Sequence, residues 1–201
     1  NSGEIICSLK GNTKTIVTAE RAALNFLQIL SATATQTNDL VSLISSSNAK
    51  LLDTRKTIPG LRKGQKYAVQ CGGGVNHRMG LYDCIMLKEN HILSTGSLEQ
   101  LIKNAVSQFP NTPIIVEVET LEELRLVLLM KGIKRILCDN FSLQDLREAV
   151  KISKGIYPLE ASGGITETNI TDYAKTGVDY ISIGSITKDI KSIDLSLRFC
   201  S

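Results

Sequence analysis

Short apolar segments alternate with amphipathic helical segments along most of this chain, and this alternation limits the fold more than any other feature. We expect strands at residues 50–53, 84–88, 114–119, 135–139, 157–162 and 180–184. The expected helices between them cover residues 97–108, 121–131, 143–153 and 166–175. Strands separated by helices pair in parallel, because a parallel crossover needs a dozen or more residues. The sequence therefore predicts an α/β fold built on a parallel sheet.

The number of strands narrows the architecture further. Six strands are expected, fewer than the eight of a full (β/α) barrel. We favour an incomplete barrel, and an open doubly wound sheet is the alternative. Helical stretches at residues 18–30 and 39–46 precede the first strand, and Gly132 and Gly177 are expected to end helices. Residues 1–17 are too short and polar to bury a core, so we expect a remnant of another domain there and the barrel at 18–201.

Composition excludes several classes of function. The net charge is only +3, and no Lys/Arg stripe is interleaved with aromatic residues, which argues against nucleic acid as a partner. No apolar run reaches the roughly 18 residues that a membrane span needs. The 5 cysteines form no CxxC pair and are typical of reduced thiols in a cytoplasmic protein.

Each expected strand ends in residues that can do chemistry, and parallel strands bring such ends to one edge of the sheet. The first two strands and their loops carry a group of cations: Arg55, Lys56, Arg62, His77, Arg78 and Lys88. Arginine grips carboxylates with two parallel hydrogen bonds, and lysine supplies a compact charge. The group would suit a small dianionic substrate or pyrophosphate, with a basic surface loop as the alternative. Three glycines at residues 72–74 would let the loop turn His77 and Arg78 inward.

The last two strands end in glycine turns. Ser162, Gly163 and Gly164 follow one strand, and Gly184 follows the other. Glycine lets a ligand approach the backbone closely, and backbone N–H groups at a helix start favour an anion. We expect Thr166 to cap the next helix. The two turns predict a phosphate site, and the alternative is a pair of tight turns without a ligand.

Carboxylates end the middle strands. Glu117 and Glu119 share one strand face by the period-two rule, and Asp139 and Glu160 follow on later strands. Such groups near phosphates and sugar hydroxyls hold Mg²⁺, usually through waters, or accept hydrogen bonds from ribose. The alternative is that they form salt bridges inside the barrel. No Cys–His or Ser–His pairing points to covalent catalysis, and no HxH or HExxH spacing points to zinc.

Seven segments, in order along nearly the whole chain, resemble the quinolinate phosphoribosyltransferase family. They are DTRKTIPGLR at 53–62, KYAV at 66–69, GGGVNHRMGLYD at 72–83, LKENHI at 87–92, LCDNF at 137–141, EASGGI at 160–165 and GVDYISIG at 177–184. The resemblance implies an incomplete barrel of the type II phosphoribosyltransferase kind, with residues 1–17 as the tail of an N-terminal sandwich domain. It also implies transfer of phosphoribose from phosphoribosyl pyrophosphate to quinolinate, with loss of CO₂, in NAD biosynthesis.

The resemblance further implies roles for individual residues. Arg55, His77, Arg78 and Lys88 would line the quinolinate pocket, and Arg21 would enter it from the neighbouring subunit of an obligate homodimer. The implied catalytic residues are Lys56, Lys88, Glu119 and Asp139, with Lys56 and Lys88 near the phosphoribosyl pyrophosphate. Glu119 and Asp139 would also contact the ribose hydroxyls and Mg²⁺, through water or substrate. The 5′-phosphate would rest on Ser162, Gly163, Gly164 and Gly184.

The chain departs from the family pattern in three places, and rival functions stay open. Residues 31–35 read SATAT where the family usually has SGIAT, Glu89 replaces a common Asp, and most of the N-terminal domain is absent. Within the same fold, the rivals are a nicotinate phosphoribosyltransferase and a relative associated with molybdenum transport. Outside it, Lys88 could form the Schiff base of an aldolase. A non-catalytic binding protein left by domain loss is the last alternative.

Overall fold

The computed structural model describes residues 3–88 and 97–199, in which strands and helices alternate as predicted. A first helix, α1 (Thr13–Leu43), precedes the alternation. The following elements are β1 (Lys50–Leu52), α2 (Arg62–Cys71), β2 (Ile85–Leu87), α3 (Leu98–Gln108), β3 (Ile114–Val118), α4 (Leu121–Leu128), β4 (Arg135–Asp139), α5 (Leu143–Ser153), β5 (Leu159–Ser162), α6 (Ile170–Ala174), β6 (Tyr180–Ser182) and α7 (Ser185–Lys188). All six predicted strands are present, most of them shorter by one or two residues than expected.

The sheet is parallel throughout and has the strand order of a barrel. Its order is β1-β6-β5-β4-β3-β2, so neighbours follow the chain and β1 lies beside the last strand. A doubly wound sheet would instead reverse its order at an internal switch point. β1 and β2 do not pair with each other, and a single parallel bridge from Leu52 to Val75 occupies the outer edge of β1. The prediction of an incomplete barrel is confirmed.

The two faces of the sheet differ in chemistry. On the face toward the helices, Val116, Ile136 and Ala161 belong to the main hydrophobic core. On the inner face, Ile115 and Leu137 form a small cluster with Cys84. Because side chains alternate along a strand, the inner face also receives the odd-numbered polar residues of β3 and β4. The barrel interior therefore has an apolar layer bounded by charged groups.

α1 is one helix of 31 residues, so our expectation of two separate helical stretches was wrong. The polar run at residues 31–38 contains neither Gly nor Pro, the residues that most strongly break a helix. Thr33 and Thr37 satisfy their hydroxyls within the helix by donating to Ile29 O (3.1 Å) and Thr33 O (2.7 Å). Both side chains are fully buried, and the helix therefore continues through this run.

Two helices were not expected from the sequence. α2 carries several polar residues and a glycine, which hide its helical period, yet Gln65, Lys66 and Val69 are buried on it. Gly64 lets α2 approach α1 closely, since a Cβ at that position would lie 3.3 Å from Leu30. α7 has only four residues, too few to show a period.

The N-terminal half of α1 is largely exposed. Val17 and Phe26 each leave about half of their surface uncovered (50% and 54%). The domain boundary that we placed after residue 17 falls inside this helix, and it stays a prediction. Among the described helices, including α1, none combines the length and the apolarity needed to cross a membrane.

Candidate active site

The loop after β1 carries Arg55 and Lys56 and is braced by α2. Arg62 donates from its guanidinium to Thr57 Oγ1 (3.0 Å), Met79 O (3.2 Å) and Arg55 O (3.0 Å). The guanidinium of Arg62 therefore ties the loop after β1 to the segment that contains Met79. We expected Arg62 among the ligand-binding cations, and the structure gives it a bracing position instead.

A buried ion pair fixes the segment that bears His77 and Arg78. Lys66 Nζ lies 2.6 Å from Asp53 Oδ1, and neither side chain is more than 1% exposed. Asp53 Oδ1 also accepts from the His77 N–H (2.7 Å), while Lys66 donates to His77 O (3.0 Å). Burial raises the pKa of Asp53, and the Lys66 ammonium and the His77 N–H oppose that shift. The sequence analysis did not identify this role of Lys66, because its partners Asp53 and His77 are each more than ten residues away in the chain.

The His77 side chain points into the barrel interior. Its Nδ1 accepts from the Arg78 N–H (2.7 Å), and its Nε2 lies 3.5 Å from Glu160 Oε2. Glu160 is fully buried and also pairs with Arg135 (2.7 Å), whose guanidinium lies 4.7 Å from the centre of the Tyr180 ring. Although burial alone would raise the pKa of Glu160, His77 and Arg135 hold it below its usual value. Arg135 was missed because it stands at the start of a strand, away from the expected site.

Arg78 lies at the unpaired seam between β1 and β2. It donates to Cys84 O (3.0 Å), just before β2 begins. Burial, together with the nearby charge of Arg55, lowers the pKa of the Arg78 guanidinium.

Lys88 extends from the end of β2 to a carboxylate on β3. Its Nζ lies 2.8 Å and 2.5 Å from the two oxygens of Glu117, which is buried. Glu119, to which we gave the catalytic role, is exposed beyond the end of β3. Glu117 therefore lies deeper in the candidate site than Glu119. The motif residues Glu89, Asn90 and His91 lie outside the described residues.

The turn after β5 packs against the end of β4. Asn140, with φ +55°, donates from its amide to Asp139 Oδ2 (2.9 Å) and from its backbone to Ser162 O (2.9 Å). Gly163 has φ +96°, and a Cβ there would overlap the Asn140 side chain. Within the described part of the chain, the N–H groups of Gly163 and Gly164 donate to no carbonyl. The turn thus offers two backbone donors next to Asp139.

One detail of this turn differs from the sequence prediction. Thr166 is not the helix cap, since α6 begins at Ile170 after an irregular turn. The Asn169 side chain shapes that turn by accepting from the Thr166 N–H (2.8 Å) and donating to Gly164 O (3.2 Å). The phosphate site that we predicted here would therefore depend on the backbone N–H groups of the turn, not on the start of a helix.

Gly184, after β6, lies against the loop after β1. A Cβ on Gly184 would be 3.0 Å from Lys56 Cδ and 3.5 Å from Thr54 Oγ1. The N–H of Gly184 has no carbonyl partner among residues 3–88 and 97–199. The Lys56 side chain thus runs across this glycine.

Most of the predicted site residues lie at the carboxyl edge of the sheet. The strand ends and the loops that follow them carry Arg55, Lys56, Lys88, Glu119, Asp139, Ser162, Gly163, Gly164 and Gly184. His77 and Arg78 lie in the connection between α2 and β2, where the His77 N–H bonds to Asp53 just after β1. Arg21 is separate, on the exposed half of α1. In the described residues, no group of three or more His, Cys, Asp or Glu side chains is arranged to hold a metal ion. The roles that the resemblance implies for these residues stay predictions.

Comparison with known proteins identifies relatives of this arrangement. Residues 33–198 match the family described as quinolinate phosphoribosyl transferase, C-terminal domain. A probable carboxylating nicotinate-nucleotide pyrophosphorylase of Bacillus subtilis (strain 168) is 42% identical over 198 residues, which are 98% of this chain and 68% of that protein. The carboxylating nicotinate-nucleotide pyrophosphorylase of Mycobacterium leprae (strain TN) is 39% identical over 98% of this chain and 70% of its own length.

A solved structure agrees with these sequence relatives. The nicotinate-nucleotide pyrophosphorylase of Francisella tularensis superposes with a TM-score of 0.90 at 53% identity, covering 92% of this chain and 66% of that protein. The chain thus spans about two thirds of the length of these relatives. With a family match over residues 33–198 and a barrel that superposes on a solved relative, the chain belongs to the quinolinate phosphoribosyltransferase family.

Proposed function

We propose that this protein transfers phosphoribose from phosphoribosyl pyrophosphate to quinolinate, releasing pyrophosphate and CO₂ and forming nicotinate mononucleotide. One observation carries the proposal. Arg55, Lys56 and Arg78 form no ion pair with any described carboxylate, although Arg55 and Lys56 share one edge of the sheet with two turns whose N–H groups donate to no described carbonyl, and Arg78 lies near Arg55. Gathered cations without counter-charges favour an anionic ligand. Quinolinate and phosphoribosyl pyrophosphate are both multiply anionic.

The quinolinate end of the site would be the seam region. Burial and then the nearby charge of Arg55 lower the pKa of Arg78, and Lys88 follows the end of the adjoining β2. Two arginine forks and a lysine suit the two carboxylates of quinolinate. His77 helps to fix Arg78 in this pocket, because its ring accepts a hydrogen bond from the Arg78 N–H.

The phosphoribosyl end would lie over the glycine turns. The N–H groups of Gly163, Gly164 and Gly184 would receive the 5′-phosphate, with Ser162 beside them. Lys56, which runs over Gly184, would contact the pyrophosphate. Asp139, held by Asn140, and the nearby Glu117 or Glu119 would face the ribose hydroxyls.

The carboxylates fit Mg²⁺ only in combination with substrate. Mg²⁺ commonly keeps several waters and binds through one or two carboxylates together with substrate phosphates. Asp139 and Glu119 would hold it in this way. When bound, the ion would offset the charge that grows on the departing pyrophosphate.

The chemistry needs positioning and charge rather than a protein nucleophile. The quinolinate nitrogen attacks the anomeric carbon, and the bond to pyrophosphate breaks. Acidic side chains favour the positive charge that develops on the ribose, while Lys56 favours the leaving group. The ring nitrogen is then cationic, so the adjacent carboxylate leaves as CO₂ and a proton takes its place on the ring.

We extend the proposal to assembly and location. The exposed N-terminal half of α1, with Val17, Phe26 and the cation Arg21, supports a homodimer in which Arg21 reaches the partner's site. The cysteines at positions 7, 71, 84 and 138 are free thiols, which supports the reducing environment of the cytoplasm.

A product assay separates the proposed reaction from its rivals. The protein is incubated with phosphoribosyl pyrophosphate, Mg²⁺ and either quinolinate labelled at the 2-carboxylate or nicotinate. Labelled CO₂ and nicotinate mononucleotide from quinolinate alone would support the proposal. Product from nicotinate without CO₂ would favour a nicotinate phosphoribosyltransferase. Binding of quinolinate without any product would favour a non-catalytic binding protein.

A charge-removal variant tests the pocket assignment. We expect Arg78→Ala to weaken quinolinate binding about tenfold or more, since charge-assisted hydrogen bonds are worth roughly 1.5–3 kcal/mol. The control is Arg147→Ala, which removes an exposed arginine from α5. Quinolinate binding by calorimetry that is unchanged in Arg78→Ala would refute the carboxylate role of this residue.

A further inference from the structure

A buried amide and a buried hydroxyl connect two loops of the site that lie at opposite ends of the chain. Gln65 on α2 and Thr187 on α7 are both fully buried. Gln65 accepts from the Ile58 N–H through Oε1 (2.8 Å) and donates through Nε2 to Thr187 O (2.8 Å). The two residues are 122 positions apart in sequence, so the contact depends on the closed arrangement of β1 and β6.

The Thr187 hydroxyl completes the connection at Lys56. It donates to Lys56 O at 2.7 Å and has a longer contact with Gly184 O at 3.3 Å. The carbonyl of Lys56 is therefore tied to the turn over which its own side chain runs. Neither Gln65 nor Thr187 was assigned any role from the sequence, and neither belongs to the ligand-binding groups named above.

We infer that Gln65 and Thr187 are positioning residues that hold Lys56 over the Gly184 turn and thereby set the affinity for the phosphoribosyl substrate. The inference rests on the proposed function for the identity of that ligand. Its physical basis is the rigidity of the support, because a displacement of about 1 Å far from the reacting atoms can reduce a rate about a hundredfold. The quinolinate pocket has a support of its own, the Asp53–Lys66 pair that fixes the segment with His77 and Arg78, and should be affected less.

The test uses nearly isosteric variants with a matched control. Thr187→Val removes only the hydroxyl, and Thr187→Ser retains it. The control is Thr176→Val, since Thr176 is also buried and donates its hydroxyl to a carbonyl, Tyr173 O (2.6 Å), at the opposite end of the strands. Gln65→Glu is a second variant, which keeps the acceptor for Ile58 and loses the donor to Thr187.

Two readouts distinguish positioning from general destabilisation. Thr187→Val should weaken phosphoribosyl pyrophosphate binding about tenfold or more in calorimetry and change quinolinate binding by no more than about twofold. Amide exchange in the peptide 53–61 should also accelerate. Thr187→Ser should behave as wild type, and Thr176→Val should lower thermal stability to a similar degree without altering the affinity for either substrate.

The possible failures are distinguishable. A wild-type protein that binds no phosphoribosyl pyrophosphate would overturn the proposed function, whereas exchange in peptide 53–61 would still report whether Thr187 holds the loop. Equal affinity in wild type and Thr187→Val, or unchanged exchange in that peptide, would overturn the inference about Gln65 and Thr187 alone. Equal losses for both substrates would also overturn it, because the effect would then be general.

Discussion

Replacement of Gly163 by alanine should be far more costly than an ordinary glycine replacement. Gly163 has φ +96°, where an L-residue pays about 1–2 kcal/mol. The added Cβ would also lie 2.9 Å from the Asn140 backbone nitrogen and overlap the side chain of that residue. Overpacking of this kind costs roughly 1–3 kcal/mol more. We therefore expect Gly163→Ala to lower the free energy of unfolding by about 2–5 kcal/mol.

A second glycine separates the two contributions. Gly155 also has a positive φ, +76°, but a Cβ there would meet no atom within 4 Å. Gly155→Ala should thus lose only the conformational part, about 1–2 kcal/mol. Urea unfolding gives the free energy of unfolding of both variants. Titration with phosphoribosyl pyrophosphate gives their affinity for this ligand, which Gly163→Ala should also weaken. If the two variants were equally stable, the argument that Asn140 leaves no room for a Cβ at position 163 would be refuted.

Three further predictions concern buried groups on strands of the barrel. Arg135→Met should destabilise the fold by about 3 kcal/mol or more, because Glu160 would lose its 2.7 Å partner while still buried; adding Glu160→Gln should recover part of that loss in urea unfolding. The lowered pKa of Glu160 means that its contribution to stability is complete above the unfolded value, near 4.5, and is lost as the pH falls through the lower folded value. The wild type should therefore lose stability below about pH 4.5 more steeply than Glu160→Gln, and parallel curves would contradict this reasoning. Burial raises the pKa of the Cys138 thiol to about 12, so in the folded protein iodoacetamide should alkylate the exposed Cys71 and spare Cys138, as read by peptide mass spectrometry.

The strands and the helices after them were predictable, because the sequence patterns that specify them involve residues close together in the chain. The segments 114–118 and 135–139 are short and rich in β-branched or large aliphatic residues, and helices with serine or threonine caps follow them. Thr120 and Ser142 cap α4 and α5 through the backbone N–H groups of Glu123 and Asp145. Such patterns involve residues three or four positions apart, and a sequence shows them directly.

The supports of the site were not predictable because their partners are distant in the chain. Gln65 is an ordinary polar residue until the fold places Thr187 against it. The continuity of α1 is a similar case, since burial of Thr33 and Thr37 outweighs their weak helical preference. Alternation correctly placed Glu117 and Glu119 on one face, yet it could not tell that β3 ends at Val118 and leaves only Glu117 buried.

The charged residues of the barrel fall into two groups, one paired with acids and one without acidic partners among the described residues. Three cations are neutralised by buried carboxylates: Lys66 by Asp53, Lys88 by Glu117 and Arg135 by Glu160. Each of these pairs connects residues of different elements and so holds a strand or a loop in place. Burial of an ion costs several kcal/mol unless it is paired, so an interior with this many cations needs these acids to fold.

Three other cations of the candidate site are not paired in this way. Arg55, Lys56 and Arg78 have no carboxylate partner among the described residues, and the pKa of Arg78 is lowered first by burial and then by repulsion from the charge of Arg55. Such repulsion reduces the stability of the unliganded protein, and a ligand with several negative charges would relieve it. The interior acids therefore do more than balance charge: they engage the inner cations, and in our proposal the remaining cations would bind the anionic substrates.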